Sequence, residues 1–405
     1  MNRPSVSASS FFGFNGSLAG LLIMAVFVGL GERMAERFLP IYVLALGGGA
    51  VAVGLLNALD NLMSALYSFP GGYVADRFGT KRALFFFNVL AIGGYLIVIA
   101  IPSWQAVLFG SLLFLSWSAI SLPASMKLIS SAMPKNKRTM GVTLHSLIRR
   151  IPMALGPVIG GALIVSFGDV SGVRIAFCFA TAFALVALIA QQKLIREDGS
   201  RGVIARPEKN PFQVWKHMPA ELKDLLVSDI LIRFAEQIPY AFVVVWCMKV
   251  IDAPVSALRF GILTTVEMLV AVLVYIPVAW LADRGHKKRY VVLTFCFFTL
   301  FPAVLWFSRS FEALVLAFVT RGLKEFGEPT RKSLIMDLAA DGEEASMFGL
   351  YYLVRDVVVS VAAFGGAFLW RLSPTLNLWT AFSFGAMGTI YFLVFGKDCR
   401  EERTP

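Results

Sequence analysis

The sequence predicts an all-α membrane protein with 12 transmembrane helices arranged as two pseudo-symmetric six-helix bundles. Three observations predict it. Apolar residues make up 57% of the chain, charged residues 16%, and mean hydropathy is +0.72, whereas a soluble domain carries about 25% charged residues. Apolar runs of roughly 20 residues, each long enough to cross a bilayer, follow one another almost without pause. The chain also repeats itself: Gly72-Tyr-Val-Ala-Asp76-Arg77-Phe-Gly79-Thr-Lys81-Arg82 returns as Trp280-Leu-Ala-Asp283-Arg284-Gly-His-Lys287-Lys288.

In order, the spans fall at 17–46, 49–74, 80–101, 104–133, 139–167 and 173–194, and then at 220–250, 257–282, 288–307, 310–339, 345–371 and 376–397. Span 1 follows a Ser-rich tail with one Arg and no small-residue cleavage site, so the tail reads as a lead-in and not as a removable signal. Spans 2 and 8 end on the repeated acidic–basic motif. Spans 4 and 10 share Pro123 and Pro329, and spans 5 and 11 share Arg149 and Arg355. The one long hydrophilic connection separates the sets of six. Residues 1–194 are therefore read as the first bundle, 195–222 as a cytoplasmic linker and 223–405 as the second bundle.

Net charge is +11. In a soluble protein this would suggest nucleic acid; here its placement excludes that reading. Lys and Arg collect at the termini and after spans 2, 4, 6 and 8, as in Arg77-Lys81-Arg82, Lys135-Lys137-Arg138 and Arg284-Lys287-Lys288-Arg289. The opposite loops hold only Arg174, Lys249, Arg259, Arg309 and Arg371. Basic loops stay on the cytoplasmic side, so both termini are expected in the cytoplasm, with the chain in a bacterial inner membrane. The acidic Asp341-Gly-Glu343-Glu344 stretch does not alter this, because acidic residues weigh little in that rule.

Charges also lie within the spans, where each costs about 2.5–3.5 kcal/mol at the bilayer centre. Arg33 and Glu36 in span 1 repeat as Arg233 and Glu236 in span 7, and Asp60 in span 2 repeats as Glu267 in span 8. Span 10 adds Arg321, Lys324, Glu325 and Glu328. Helical spacing predicts local pairs at i,i+3 (Arg33–Glu36, Arg233–Glu236) and i,i+4 (Arg321–Glu325, Lys324–Glu328). Span 10 departs most from its twin, which carries hydroxyls and Trp117 in place of charge. Gly156-Pro-Val-Ile-Gly160-Gly161 lets span 5 approach another backbone closely. Prolines 40, 70, 123, 152, 157, 239, 277 and 329 all fall within spans and are expected to kink them.

The loop motif, the duplication and the twelve spans together resemble the major facilitator superfamily over essentially the whole chain. The Gly156–Gly161 stretch resembles the end of the helix 5 motif of its drug:proton antiporters, although Pro152 and Thr143 replace two motif glycines. The second loop copy also departs from the signature, with Trp280 for its leading Gly. The resemblance implies a secondary active transporter that moves a small organic solute by alternating access, proton-coupled and exporting. Proton- or ion-coupled uptake of an anionic carboxylate or phosphate is the alternative. It implies a central cavity lined by helices 1, 4, 7 and 10, with Arg33, Glu36, Trp117, Arg233, Glu236, Arg321, Lys324 and Tyr351 as cavity candidates. Proton-coupling candidates are Glu36, Glu236, Glu325 and Glu328. Gating candidates between the halves are Asp60, Asp76, Arg77, Arg149, Glu267, Asp283 and Arg355, with Asp60–Arg355 and Glu267–Arg149 as expected cross-half pairs.

An enzyme is not expected: three histidines, two of them in loops, supply neither a nucleophile–base pair nor a metal cluster. Nucleotide-driven pumping lacks its Gly-rich phosphate loop, and a sensor would need an attached signalling segment. The four cysteines, Cys178, Cys247, Cys296 and Cys399, show no ligand spacing. No cofactor or metal is expected. The expected partners are a small solute, protons and the bilayer, and the protein is expected to be a monomer.

Overall fold

The computed structural model describes residues 16–115, 121, 125, 138–195, 211–282, 287–339 and 344–397, whose regular structure is all helical, with no strand among them. The first half holds α1 (Gly16–Glu36), α2 (Leu39–Ala45), α3 (Ala50–Phe78), α4 (Thr80–Ala100), α5 (Trp104–Phe114), α6 (Arg138–Phe167) and α7 (Asp169–Leu194). The second half holds α8 (Pro211–His217), α9 (Ala220–Tyr240), α10 (Val243–Val245) with a π-helical turn at Trp246–Val250, and α11 (Ala257–Ala282). It continues with α12 (Lys287–Phe307), α13 (Phe311–Leu323), α14 (Glu328–Leu338), α15 (Glu344–Leu372) and α16 (Pro374–Phe395). Among the described residues, eight helices are long and apolar enough to cross a membrane, or nine if α9 and its 42° bend into Val243–Val250 form one span.

The helices owe their length to apolar residues on every face, a pattern stable only where all sides are buried in protein or lipid. Phe86, Leu273, Val361, Leu372 and Val394 all point outward and are largely exposed. A water-soluble surface would not carry so much contiguous apolar area. The chain is a multi-pass membrane protein. Helix starts follow capping chemistry: Ser103 Oγ accepts from Ala106 N at 3.2 Å and Ser310 Oγ from Ala313 N at 3.3 Å. These caps open α5 and α13, at matching positions in the repeat.

Three expected spans are broken close to a proline; in spans 1 and 10 the break lies on its N-terminal side, where the missing N–H leaves a carbonyl one turn earlier without its helical bond. Span 1 breaks at Arg37-Phe38 before Pro40, span 7 at Ala241-Phe242 after Pro239, and span 10 at Lys324–Gly327 before Pro329. Pro40 and Pro329 therefore sit in the first turn of a new helix, where the missing N–H costs nothing, instead of inside a kinked one.

α1 packs on α6 and α7, and α9 on α15 and α16. The halves of the chain meet mainly through α6 with α11 and α3 with α15. The repeat relates α3 to α11 and α6 to α15, so the two contacts are counterparts. The close approach read from Gly156–Gly161 is present. A Cβ on Gly161 would lie 2.4 Å from Ala257 O, and one on Gly261 would lie 2.4 Å from Pro157 O. These glycines let α6 and α11 touch backbone to backbone near the end of the molecule that carries the Gly47 and Gly168 turns.

Candidate functional site

The kinked α9 organises the charged interior. Asp229, Arg233 and Glu236 stand at i, i+4 and i+7, one helical face, and that face meets α13, α14 and α15. A continuous chain of ion pairs results. Arg355 reaches Asp229 at 3.4 Å, and Asp229 pairs with Arg331. Arg331 holds Glu328 at 2.7 Å, and Arg233 reaches Glu328 at 3.6 Å. Arg233 also holds Glu236 at 2.6 Å, which takes Lys324 at 2.6 Å. Lys324 lies 3.8 Å from Glu267, which meets Arg321 at 3.3 Å. Asp229 and Arg331 are each 1% exposed. Tyr351 donates its hydroxyl to Asp229 at 3.0 Å. Aromatic faces cover the cations: Arg355 lies 4.1 Å from the Tyr352 ring centroid and Arg321 5.2 Å from that of Phe301. Pairing and cation–π contact together offset the cost of placing these charges in the membrane.

The first half is sparser. Arg33 holds Glu36 at 2.6 Å. Arg37 donates to the Tyr240 hydroxyl at 2.9 Å, across the halves. Glu32 is 3% exposed, and its Oε2 meets no hydrogen-bond partner among the described residues. On the same side, Asn57 donates to Gln237 O at 3.0 Å and Asn61 to Gln237 Oε1 at 3.2 Å. Both bonds hold α9 just before its break. Between the halves lies a cleft holding about 500 Å³ of space, open solvent included, lined by Glu36, Arg37, Asn57, Asp60, Tyr240 and Arg321 among apolar residues including Leu56, Val243, Val244 and Phe260.

Both predicted i,i+3 pairs are made. The predicted i,i+4 pairs are not, because the helix breaks between their members. Arg321 turns to Glu267, Lys324 to Glu236 and Glu267, Glu328 to Arg331, and Glu325 crosses to Arg150 at 3.2 Å. The cross-half pairs Asp60–Arg355 and Glu267–Arg149 are also absent from this structure. Arg355 is taken by Asp229 and Asp356 (2.7 Å to the latter), and Glu267 by Arg321. Carboxylates on the same half stand closer. Of the cavity candidates, Glu36 and Arg321 line the cavity. Tyr351 does not; it is fully buried against Asp229. Arg33, Arg233, Glu236 and Lys324 sit behind the wall in ion pairs. Arg77 is exposed at the end of α3. Trp117 and Asp283 lie outside the described residues, as does the side chain of Asp76.

Sequence reasoning missed Glu32, Arg37, Asp229 and Arg331 as site residues. Asp229 stands one turn before Arg233, a spacing that flags it, but its repeat position is Gly29, so the duplication does not. Glu32 maps to Ile232 and Arg37 to Gln237 in the same way.

At the Gly47 end, Lys249 reaches Asp169 across the halves at 3.1 Å, with half of the lysine side chain exposed. Such a pair contributes about 0–1 kcal/mol. Lys249→Ala is expected to leave thermal stability in detergent nearly unchanged; a large drop in melting temperature would refute that.

The family model described as Major Facilitator Superfamily matches residues 21–252. The chain belongs to that superfamily. Its curated relatives include an uncharacterised MFS-type transporter of Methanocaldococcus jannaschii, 22% identical over 86% of this chain and 87% of the relative. A multi-drug resistance efflux pump PmrA homolog of Lactococcus lactis is 27% identical over 68% of this chain and 69% of the relative. Among solved structures, the nucleoside transporter NupG superposes with a TM-score of 0.81 at 11% identity, covering 94% of this chain and 100% of that one. At that identity the likeness is one of fold. Within this superfamily chain the contacts α6–α11 and α3–α15, the broken helices and the charged interior are features of one membrane-embedded unit.

Proposed function

We propose that this superfamily member is a secondary active transporter that exports a small organic solute across the inner membrane by alternating access, coupled to protons. In this reading the helices form twelve spans in two six-helix bundles, with both termini cytoplasmic. The bundles rock about the α6–α11 and α3–α15 contacts. Asp76 and Arg77 latch one end, and Arg150–Glu325 and Lys249–Asp169 are bridges that open and close. The observation that carries the reading is the cavity between the chain halves, with ionisable groups of both halves at its wall and charged networks on either side. Such a site at the interface of two repeats suits a two-state carrier.

Of the four proton-coupling candidates, Glu36 lines the cavity; Glu32, buried one turn away on α1, is a fifth candidate. Glu236, Glu325 and Glu328 are each held by a cation, as Glu36 is by Arg33, but they are not among the residues that line the cavity. Uptake of an anionic metabolite is less well supported. Its proposed anchors Arg33, Arg233, Arg321 and Lys324 are each already paired with a carboxylate.

A thermal-stabilisation screen of the purified protein against organic solutes, run at pH 6 and pH 8, tests this. At least one solute is expected to stabilise it in a pH-dependent way and to undergo counterflow in proteoliposomes. Glu36→Gln is expected to keep counterflow and lose uphill transport driven by a pH gradient. Stabilising solutes that never exchange across the membrane would overturn the carrier reading.

A further inference from the structure

Four charged side chains line the cavity, and they fall into two kinds. Glu36 is neutralised by Arg33 at 2.6 Å, and Arg321 by Glu267 at 3.3 Å. Arg37 and Asp60 make no ion pair with any described residue. Arg37 is steered by a neutral group, the Tyr240 hydroxyl, at 2.9 Å, with its guanidinium 5.4 Å from that ring's centroid. Arg37 and Asp60 lie on different helical segments, α3 carrying Asp60, and they face the same space without closing on each other. Asn57, a neighbour of Asp60, donates instead to Gln237 O.

An ionised group at a mostly apolar cavity wall is costly unless something of opposite charge meets it. A purely cationic solute would satisfy Asp60 and bring its charge toward Arg37. A purely anionic one would do the reverse. A solute bearing both charges satisfies both groups and leaves the cavity electrically balanced. We infer that the cavity binds a zwitterion with an apolar body, an amino acid or short peptide-like solute. Its carboxylate sits on Arg37, its ammonium on Asp60, and its side chain lies against Leu56, Val243, Val244 and Phe260. The guanidinium fork suits a carboxylate. This assignment rests on the reading of the cavity as the transport site.

The test uses the full-length protein in lipid nanodiscs and two scaffolds, phenylalanine and the dipeptide alanyl-phenylalanine. Each is offered as the zwitterion, as its methyl ester (cation) and as its N-acetyl derivative (anion), with binding measured by calorimetry. At least one zwitterion is expected to bind tighter than both of its singly charged relatives by about tenfold or more, the scale of one satisfied charge contact. Arg37→Gln is expected to erase the preference over the ester, and Asp60→Asn the preference over the N-acetyl form. Arg37→Lys and Asp60→Glu, which keep the charges, are expected to retain part of each preference and guard against simple misfolding. Equal binding of all three charge forms, no binding of either scaffold, or preferences unmoved in the neutral variants would overturn the inference. Binding is read at equilibrium, so the carrier reading can fail separately: a zwitterion that binds with the expected preference yet shows no counterflow would sink transport and leave the site standing. Counterflow of a singly charged solute without that preference would do the opposite.

Discussion

Replacing Asp229 by Ala is expected to destabilise the protein by about 3–5 kcal/mol, the cost of stripping a buried cation of its counter-ion. Asp229 is 1% exposed and receives Arg331, Arg355 and the Tyr351 hydroxyl. Removing it leaves Arg331, also 1% exposed, with only Glu328 as partner, and Glu328 is shared with Arg233. The expected result is a collapse in the yield of monodisperse protein, or a large drop in melting temperature in detergent. Asp229→Asn, which keeps a hydrogen-bond acceptor for Tyr351, is expected to lose less. Joint replacement of Asp229 by Leu and Arg331 by Met is expected to recover much of the loss, because apolar pairs of similar volume often match buried ion pairs. Wild-type stability in Asp229→Ala would show that the network is not what holds α9, α14 and α15 together.

The second large effect is expected from Gly261→Val. A Cβ there would lie 2.4 Å from Pro157 O and 2.7 Å from Pro157 C. Both are backbone atoms that cannot yield without moving α6. The reciprocal contact at Gly161, 2.4 Å from Ala257 O, lies on the same seam, so the strain has no outlet except separation of the two helices. Overpacking of this kind costs about 1–3 kcal/mol, and each 1.4 kcal/mol shifts a two-state population about tenfold. Spin labels at positions 169 and 249, on either side of the Gly47 end, are expected to report a longer distance in Gly261→Val than in the parent. Gly365→Val is the control, since nothing lies within 4 Å of a Cβ there. Unchanged distances in Gly261→Val would mean that the α6–α11 contact does not hold that end shut.

Much of the fold was legible in the sequence. The repeat related α3 to α11 and α6 to α15, and Gly156–Gly161 announced a backbone contact that Gly161 and Gly261 indeed make. The i,i+3 pairs Arg33–Glu36 and Arg233–Glu236 needed only helical spacing. The i,i+4 pairs of span 10 failed for a local reason, the break at Lys324–Gly327 that interrupts the helix between their members. Asp229 was illegible for another reason: it has no counterpart in the first half, and its partners Arg331, Arg355 and Tyr351 are more than 100 residues away in the chain.

Composition and periodicity by themselves determined that this chain is helical and membrane-embedded. Both follow from short-range rules, since a span's burial and its helical hydrogen bonds depend on its own residues. Only the tertiary structure decided which charges meet across helices. Long-range pairing depends on where kinked helices cross, and a shift of one turn exchanges partners. That is why Arg321, Lys324 and Arg355 are neutralised by Glu267, Glu236 and Asp229, while Arg37 and Asp60 are left facing the cavity.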